Sequence, residues 1–283
     1  MVNKQRLYDD VLFLTSLEPS RSYFHPASLR KAADYIAGEF QKLKGRVSFQ
    51  NLHEGYQNMI ISFGPEEGER IIVGAHYDVC FDTPGADDNA SAVAGLLELA
   101  RLLDEQQPEL TFRVDLVAFN FEEPPFFGSD RMGSAVHARS LARERVPVKV
   151  MIRLEMIGYF SDEPGSQRFP LPQMKALYPS TGNFIVVVGK SGQEEIVEKV
   201  KRCMQANAEI DVQSINAPTS ITGIDFSDHR NYWAQGYPAV MINDTSFLRN
   251  PHYHQLSDTI DTLDFSRMME VVRGVYGTVV NIR

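Results

Sequence analysis

The chain has 283 residues, is 43% hydrophobic and 23% charged, and carries a formal charge of −9 from 37 acidic against 28 basic side chains. That apolar content can build a core burying roughly three quarters of the chain's surface, which excludes a disordered chain, and no basic stripe points to nucleic acid. No apolar run approaches the ~18 residues of a membrane span, and Cys80 and Cys203, the only thiols, make no disulfide framework.

Met1 to Pro19 reads as a helix, with Leu7, Val11, Leu12 and Leu14 among Asp9, Asp10 and Glu18. It lacks the continuous apolar core and small-residue cleavage site of a signal peptide, so a cytoplasmic location is expected, or a secreted one if a leader has been removed. Further helices are expected at Ala27–Leu43, Ser91–Leu103, Ser134–Arg145, Gln193–Ala206 and Phe265–Val280. Strands are expected at Arg46–Leu52, Met59–Phe63, Arg70–Ala75, Phe112–Asn120, Val148–Leu154, Phe184–Val188 and Ala239–Ile242. The first three strands have short polar links, which predicts antiparallel hairpins; the later ones alternate with helices, which predicts parallel crossovers. The fold class is α/β: a single three-layer domain over residues 1–283, its mixed, mostly parallel sheet lying between helices. Two stretches, 158–181 and 208–225, read as long loops, either binding lids or peripheral insertions.

In open α/β sheets ligands bind at the carboxyl ends of strands, so the polar residues there carry the argument. Arg70–Ala75 runs into His76 and Asp78, Phe112–Asn120 into Glu122 and Glu123, Val148–Leu154 into Glu155, and Ala239–Ile242 into Asn243 and Asp244, with His254 soon after. Pro84 to Asn89, containing Asp87 and Asp88, leads into the helix at Ser91. Each has an ordinary reading: a hydrogen-bonded structural histidine, a helix N-cap, a solvated acidic loop. Their coincidence at one edge argues for more, because so many carboxylates would repel and hold protons unless a cation joined them. Imidazole and carboxylate donors fit zinc, with cobalt or manganese as substitutes. Cys80 reads as a small apolar loop residue. Five ligands are too many for one catalytic zinc with an open position, and fit two ions roughly 3.5–4 Å apart that share one ligand.

Five motifs in order, Gly-Ala-His76-Tyr-Asp78, Pro-Gly-Ala-Asp-Asp88-Asn-Ala-Ser, Glu122-Glu123, Leu-Glu155-Met-Ile-Gly and Tyr253-His254-Gln-Leu-Ser-Asp258-Thr, resemble the co-catalytic zinc aminopeptidases. That family includes bacterial leucyl aminopeptidases and glutamate carboxypeptidase-like enzymes, with the glutaminyl cyclases as relatives. The resemblance runs from about Arg70 to Asp264. It implies two zinc ions per chain: His76, Asp88 and Glu155 on one, Asp88, Glu123 and His254 on the other, and Asp88 bridging. It implies that Glu122 is the general base, that a hydroxide bridges the zincs, and that Tyr253 helps hold the tetrahedral oxyanion. Asp78 would orient His76 from behind, with Asp258 and Asp228 also behind the ligands; a capping or loop role is an equal reading of Asp228. A cis peptide bond at Asp88–Asn89 is implied too. The substrate would be a peptide or amino-acid amide, its free amine held by Glu122 and Glu155.

Departures from the family pattern are Glu155 where Asp is common, Ala92 where Gly is common, and the stiff Pro124-Pro125 after the glutamate pair. Arg249 reads as a surface charge or a residue of the pocket rim. Tyr232, Trp233, Phe126, Phe127 and the two loops are the expected pocket walls. A one-zinc glutaminyl cyclase is an alternative, although that branch has Trp where Tyr253 stands. A non-catalytic binding module is another, although such members lose ligands. Gly189-Lys190-Ser191 is no phosphate loop, since Phe184 stands where glycine is needed, and His53-Glu54 is no zincin motif, since Gln57 stands where histidine is needed. Nothing in the sequence sets an oligomeric state.

Overall fold

In β3 (Arg70–His76) the side chains of Ile71, Val73 and Ala75 enter one apolar cluster and Ile72 the opposite one, as in a strand covered on both faces. The computed structural model describes residues 1–283. It contains one sheet of eight strands, in the order β1-β2-β4-β3-β5-β8-β6-β7. These are β1 (Arg46–Asn51), β2 (Gln57–Phe63), β3, β4 (Arg113–Phe119), β5 (Val148–Glu155), β6 (Phe184–Lys190), β7 (Asp211–Ala217) and β8 (Ala239–Asn243). β4, β3, β5 and β8 form a parallel centre. β1 and β2 add antiparallel at one edge, and β6, parallel to β7, joins β8 antiparallel at the other.

The helices are α1 (Lys4–Thr15), α2 (Pro26–Gln41), α3 (Ala92–Gln106), α4 (Gly133–Arg143), α5 (Glu194–Asn207), α6 (His229–Ala234) and α7 (Phe265–Asn281). α1, α2, α3, α5 and α7 pack on one face and build the larger core cluster of 51 residues; α4 and α6 cover the other with a cluster of 16. Local chemistry fixes several starts. Asn3 accepts from the Gln5 and Arg6 backbone N–H groups at the start of α1, Pro26 opens α2, and Asp264 accepts from Ser266 and Arg267 at the start of α7. No helix is long and apolar enough to cross a membrane.

Two expectations are corrected. β3 does not form a hairpin with β2: β4, fifty residues downstream of β2, inserts between them, and β3 pairs parallel with β4 and β5. The stretch 208–225 is not all loop, because Asp211–Ala217 forms β7. As the edge strand it carries polar residues, and only Val212 is fully buried, so its sequence lacks a strand's apolar alternation. The stretch 158–181 is irregular apart from one short turn of helix at Pro172–Ala176.

Candidate metal centre and active site

The parallel strands deliver the polar residues to one edge. His76 ends β3, Glu122 and Glu123 follow β4, Glu155 ends β5, and His254 lies in the loop after β8. Asp88 sits in the turn before α3, where the Asp88–Asn89 peptide bond is cis, as the resemblance implies. His76, Asp88, Glu122, Glu123 and Glu155 are each at most 6% exposed. His76 Nε2 lies 3.2 Å from Asp88 Oδ1, 3.5 Å from Glu155 Oε1 and 3.8 Å from Glu122 Oε2. His254 Nε2 lies 3.1 Å from Asp88 Oδ2 and 3.5 Å from Glu123 Oε2. Asp88 therefore turns one carboxylate oxygen toward each imidazole.

The tautomer of His76 is legible. Its Nδ1 lies 3.0 Å from the Asp78 backbone carbonyl, which only accepts, so Nδ1 carries a proton and it is Nε2 that offers a lone pair when the ring is neutral. That Nε2 is buried and has no hydrogen-bond partner, yet carboxylate oxygens surround it. Lone pairs converging in a buried site leave a cation's place, and nitrogen and oxygen donors suit zinc. His76, Asp88 and Glu155 come together as one group that could hold a cation, and Asp88 and Glu123 both lie within 3.5 Å of His254 Nε2.

The charges behave as such a site requires. Burial alone would lower the His76 pKa, but Glu155 and Glu122 drive it well above the ordinary value. Burial, with Glu155 and Glu123 nearby, drives Glu122 well above the carboxylate range. Burial and Asp88 push Glu123 up to about 7. Asp88 and Glu155 move down against their burial, Asp88 through the two imidazoles and Glu155 through Arg153. Tyr253, stacked on His254 at 3.8 Å, is raised by burial and by the neighbouring carboxylates, so its hydroxyl keeps its proton.

Residues behind the cluster hold it in shape. The Asp78 carboxylate accepts the backbone N–H groups of Glu122 (3.3 Å) and Glu123 (3.0 Å), fixing the acidic pair; toward His76 its backbone carbonyl is the closer partner. Asp258 accepts the N–H groups of Asp87 (2.9 Å) and Asp88 (3.1 Å). Asp228 stands at the N-cap position of α6, but its side chain makes no capping bond: it is fully buried, 3.1 Å from Arg153 Nε, and accepts from Ser134.

Two arginines were not foreseen. Arg153, on β5 and fully buried, places Nη2 2.5 Å from Glu155 Oε2, and Ser227 Oγ donates to the same oxygen. Glu155 thus offers only Oε1 to the cluster. Arg21 is 1% exposed and donates to the carbonyls of Tyr77, Leu14, Pro84 and Gly85, tying the N-terminal segment to the turn before Asp88. Gly85 has φ +62°, and a Cβ there would stand 2.4 Å from the Asp88 carbonyl, so the turn needs glycine. Arg153 had a weak signal, a charge between the apolar residues Ile152 and Leu154 of its strand. Arg21 had none, because its partners lie far away in sequence.

A cavity of about 290 Å³ opens from the acidic cluster. Phe184, Val186 and Val188 of β6, Ile215 of β7 and Met241 of β8 line it, with Phe127, Phe226, Phe247 and residues from both long loops, among them Phe169, Met174, Ile221 and Ile224. Phe127 and the two loops are where they were expected. Tyr232 and Trp233 are core residues under the sheet, and Phe126 stacks in the core on Phe121. Arg249 is no surface charge: it is 4% exposed, lies over the rings of Phe184 and Phe160, and donates to Gln167 and the Phe184 carbonyl.

The chain is similar to known proteins in sequence and in fold. The chain is 48% identical over 282 residues to the uncharacterized protein YfbL of Escherichia coli (strain K12), covering 96% of this chain and 86% of that one. It is 23% identical over 294 residues to a probable leucine aminopeptidase of Arthroderma otae, covering 98% and 71%. Among solved structures, LapB from Legionella pneumophila superposes with a TM-score of 0.79 at 21% identity, covering 99% of this chain and 72% of that one. A Bacteroides thetaiotaomicron glutaminyl cyclase gives 0.74 at 20% identity, covering 100% and 99%. The model of peptidase family M28 matches residues 58–279, most of the chain and every residue of the cluster, and the chain belongs to that family of metallopeptidases.

Proposed function

We propose that the chain is a two-metal aminopeptidase that removes apolar residues from the amino terminus of peptides. The observation that carries this reading is the buried pair of donor sets sharing Asp88, with the unpartnered Nε2 of His76 facing one of them. Two zinc ions, when bound there, would supply Lewis acidity to a scissile carbonyl and to a water.

The chain's own residues do the rest. Glu122 projects into the cluster from a backbone that Asp78 holds, and burial raises its pKa, which makes its ionised form the stronger base toward water and lets the acid so formed pass a proton to the leaving amine. Tyr253 keeps its proton and offers a hydroxyl to the developing oxyanion. Glu122 and Glu155 are the carboxylates beside which the substrate's α-ammonium would lie. The apolar cavity beside them favours a bulky aliphatic or aromatic first side chain. Both donor sets are complete, and Tyr253 precedes His254, which favours the peptidase over a one-metal cyclase.

Glu122→Gln keeps the shape and removes the base. Turnover should fall about 10²–10⁴-fold with metal content unchanged; full activity in that variant would refute the role. Across amino-acid p-nitroanilides, kcat/KM should favour leucine over aspartate by at least about tenfold, because an unpaired carboxylate gains nothing in an apolar cavity. Equal rates would remove the cavity from the specificity argument.

A further inference from the structure

The stretch 158–181 has almost no regular structure of its own, yet one buried side chain meets its start, its middle and the chain just past its end. Arg249, in the loop after β8, is 4% exposed. Its Nε donates to Gln167 Oε1 at 3.0 Å, and its Nη1 donates to the carbonyls of Phe184 at 2.8 Å and Tyr159 at 3.5 Å. The guanidinium carbon lies 5.7 Å from the ring centre of Phe160 and 4.6 Å from that of Phe184. At Gly182 a Cβ would stand 2.7 Å from Arg249 Nε, so the returning chain passes directly over the side chain. We infer that Arg249 is a positioning residue that fixes this loop as a standing wall of the cavity and so sets the preference for a large first side chain. The specificity half rests on the aminopeptidase reading above; the anchoring of the loop does not.

Electrostatic stability does not account for the burial. The hydrogen-bond partners of Arg249 are an amide and two backbone carbonyls, all uncharged, and Nη2 has no partner. Asp244 and Asp87 attract it from farther off, but burial prevails and lowers its pKa to about 10. A guanidinium buried against neutral groups costs stability, and an apolar side chain of similar size would pack there as well. What the guanidinium adds is direction, because its planar fork bonds the loop and strand at fixed angles while its faces lie on two rings.

Around this anchor the loop is tied to itself. The Gln167 N–H donates to the Ser180 carbonyl at 3.0 Å, the Ser161 N–H to the Gly182 carbonyl at 2.9 Å, and the Gly182 N–H to Ser166 Oγ at 2.8 Å. Gln167 carries the anchor to the cavity, since its amide donates to Thr245 Oγ1 at 2.9 Å, and both residues line that space. Beyond Gln167 the loop supplies Phe169, Met174 and Tyr178 to the lining. Phe184 of β6 lines the cavity too, and it accepts from the same guanidinium. One side chain thus joins the loop wall to the sheet wall. A wall held in place before substrate arrives rewards a side chain that fills the space; a loose wall forfeits that contact.

The test compares zinc-loaded whole protein with Arg249→Met, which keeps an unbranched chain and removes the directional bonds. The ratio of kcat/KM for leucine p-nitroanilide to that for alanine p-nitroanilide should fall at least about tenfold, the scale on which an apolar pocket weighs methylene groups. The loss should lie in KM for the leucine substrate rather than in its kcat. Trypsin should also cut after Lys175, an exposed residue of the loop, sooner than in the wild type, with the denaturant midpoint not lowered. A wild-type leucine preference in folded Arg249→Met would overturn the specificity role, and wild-type cleavage at Lys175 would overturn the anchoring. If Arg249→Met fails to fold, Gly182→Ala decides, because its methyl displaces the guanidinium and should produce both changes; neither change in that variant would refute the inference. If the wild type hydrolyses neither anilide, the aminopeptidase reading falls and the specificity role with it, while the Lys175 cleavage still judges the anchoring.

Discussion

At Glu155 the two carboxylate oxygens have different work. Oε2 is held by Arg153 and Ser227, and Oε1 faces His76 and the first metal position. The buried guanidinium has two acidic partners, Glu155 and Asp228, and they raise its pKa against the effect of burial. Removing it would leave two buried carboxylates without a cation, which typically costs 3–5 kcal/mol. Arg153→Met should therefore destabilise the fold by about that amount and weaken zinc binding at the first position about 10–100-fold, as the loss of a group orienting a ligand does. Competition with a chromophoric chelator, alongside denaturant unfolding, measures both; wild-type zinc affinity in a folded Arg153→Met would show that Glu155 needs no clamp. Of the proposed metal ligands, His76, Asp88, Glu123 and Glu155 were legible in the sequence because each lies at or just after the end of a strand run or just before a helix; His254, in a loop, stood out only through the motif around it. Arg153 and Arg21 were not, because what makes them matter is the set of carbonyls and carboxylates that folding gathers round them.

The elements differ in what their sequences disclosed. β3, β4, β5 and β8 were visible as continuous apolar runs followed by polar residues, and they deliver most of the site. β7 was hidden because an edge strand need not alternate, and α6 because six residues carry too little periodicity. The neighbours of β3 were misread because a short link between strands says nothing about which later strand intervenes. The face that α4 and α6 cover holds two buried neutral histidines. His137 Nδ1 lies 2.6 Å from the Tyr232 hydroxyl, and His229 Nε2 donates to the Ile224 carbonyl. Burial lowers each from 6.5 to about 4. Between those values the unfolded chain binds more protons than the folded one, so this stabilisation is present above about pH 6.5 and is lost as pH falls toward about 4. Denaturant midpoints of chelator-treated protein should drop across that window, and less steeply in His137→Gln. Equal slopes in the two proteins would mean that His137 is not neutral when folded.

Over the whole molecule the sheet order and the charge are connected. Four parallel strand ends and the turn before α3 gather Asp88, Glu122, Glu123 and Glu155 into one buried site, so part of the formal −9 is interior. Two divalent ions would bring the formal charge from −9 to −5 and offset the burial and the carboxylate repulsion that raise Glu122 and Glu123. Because Glu123 has been pushed up to about 7, loading zinc at lower pH must expel a proton, and the apparent affinity should rise with pH through that value. The central claim joins both ions to one reaction at a free amino terminus. Its most direct test is the rate of leucine release from a leucyl peptide by metal-free protein as zinc is added per chain. The account predicts activity that climbs until two zinc ions are bound and vanishes when the peptide's amine is acetylated. No release with two ions bound, or undiminished cleavage of the acetylated peptide, would contradict it.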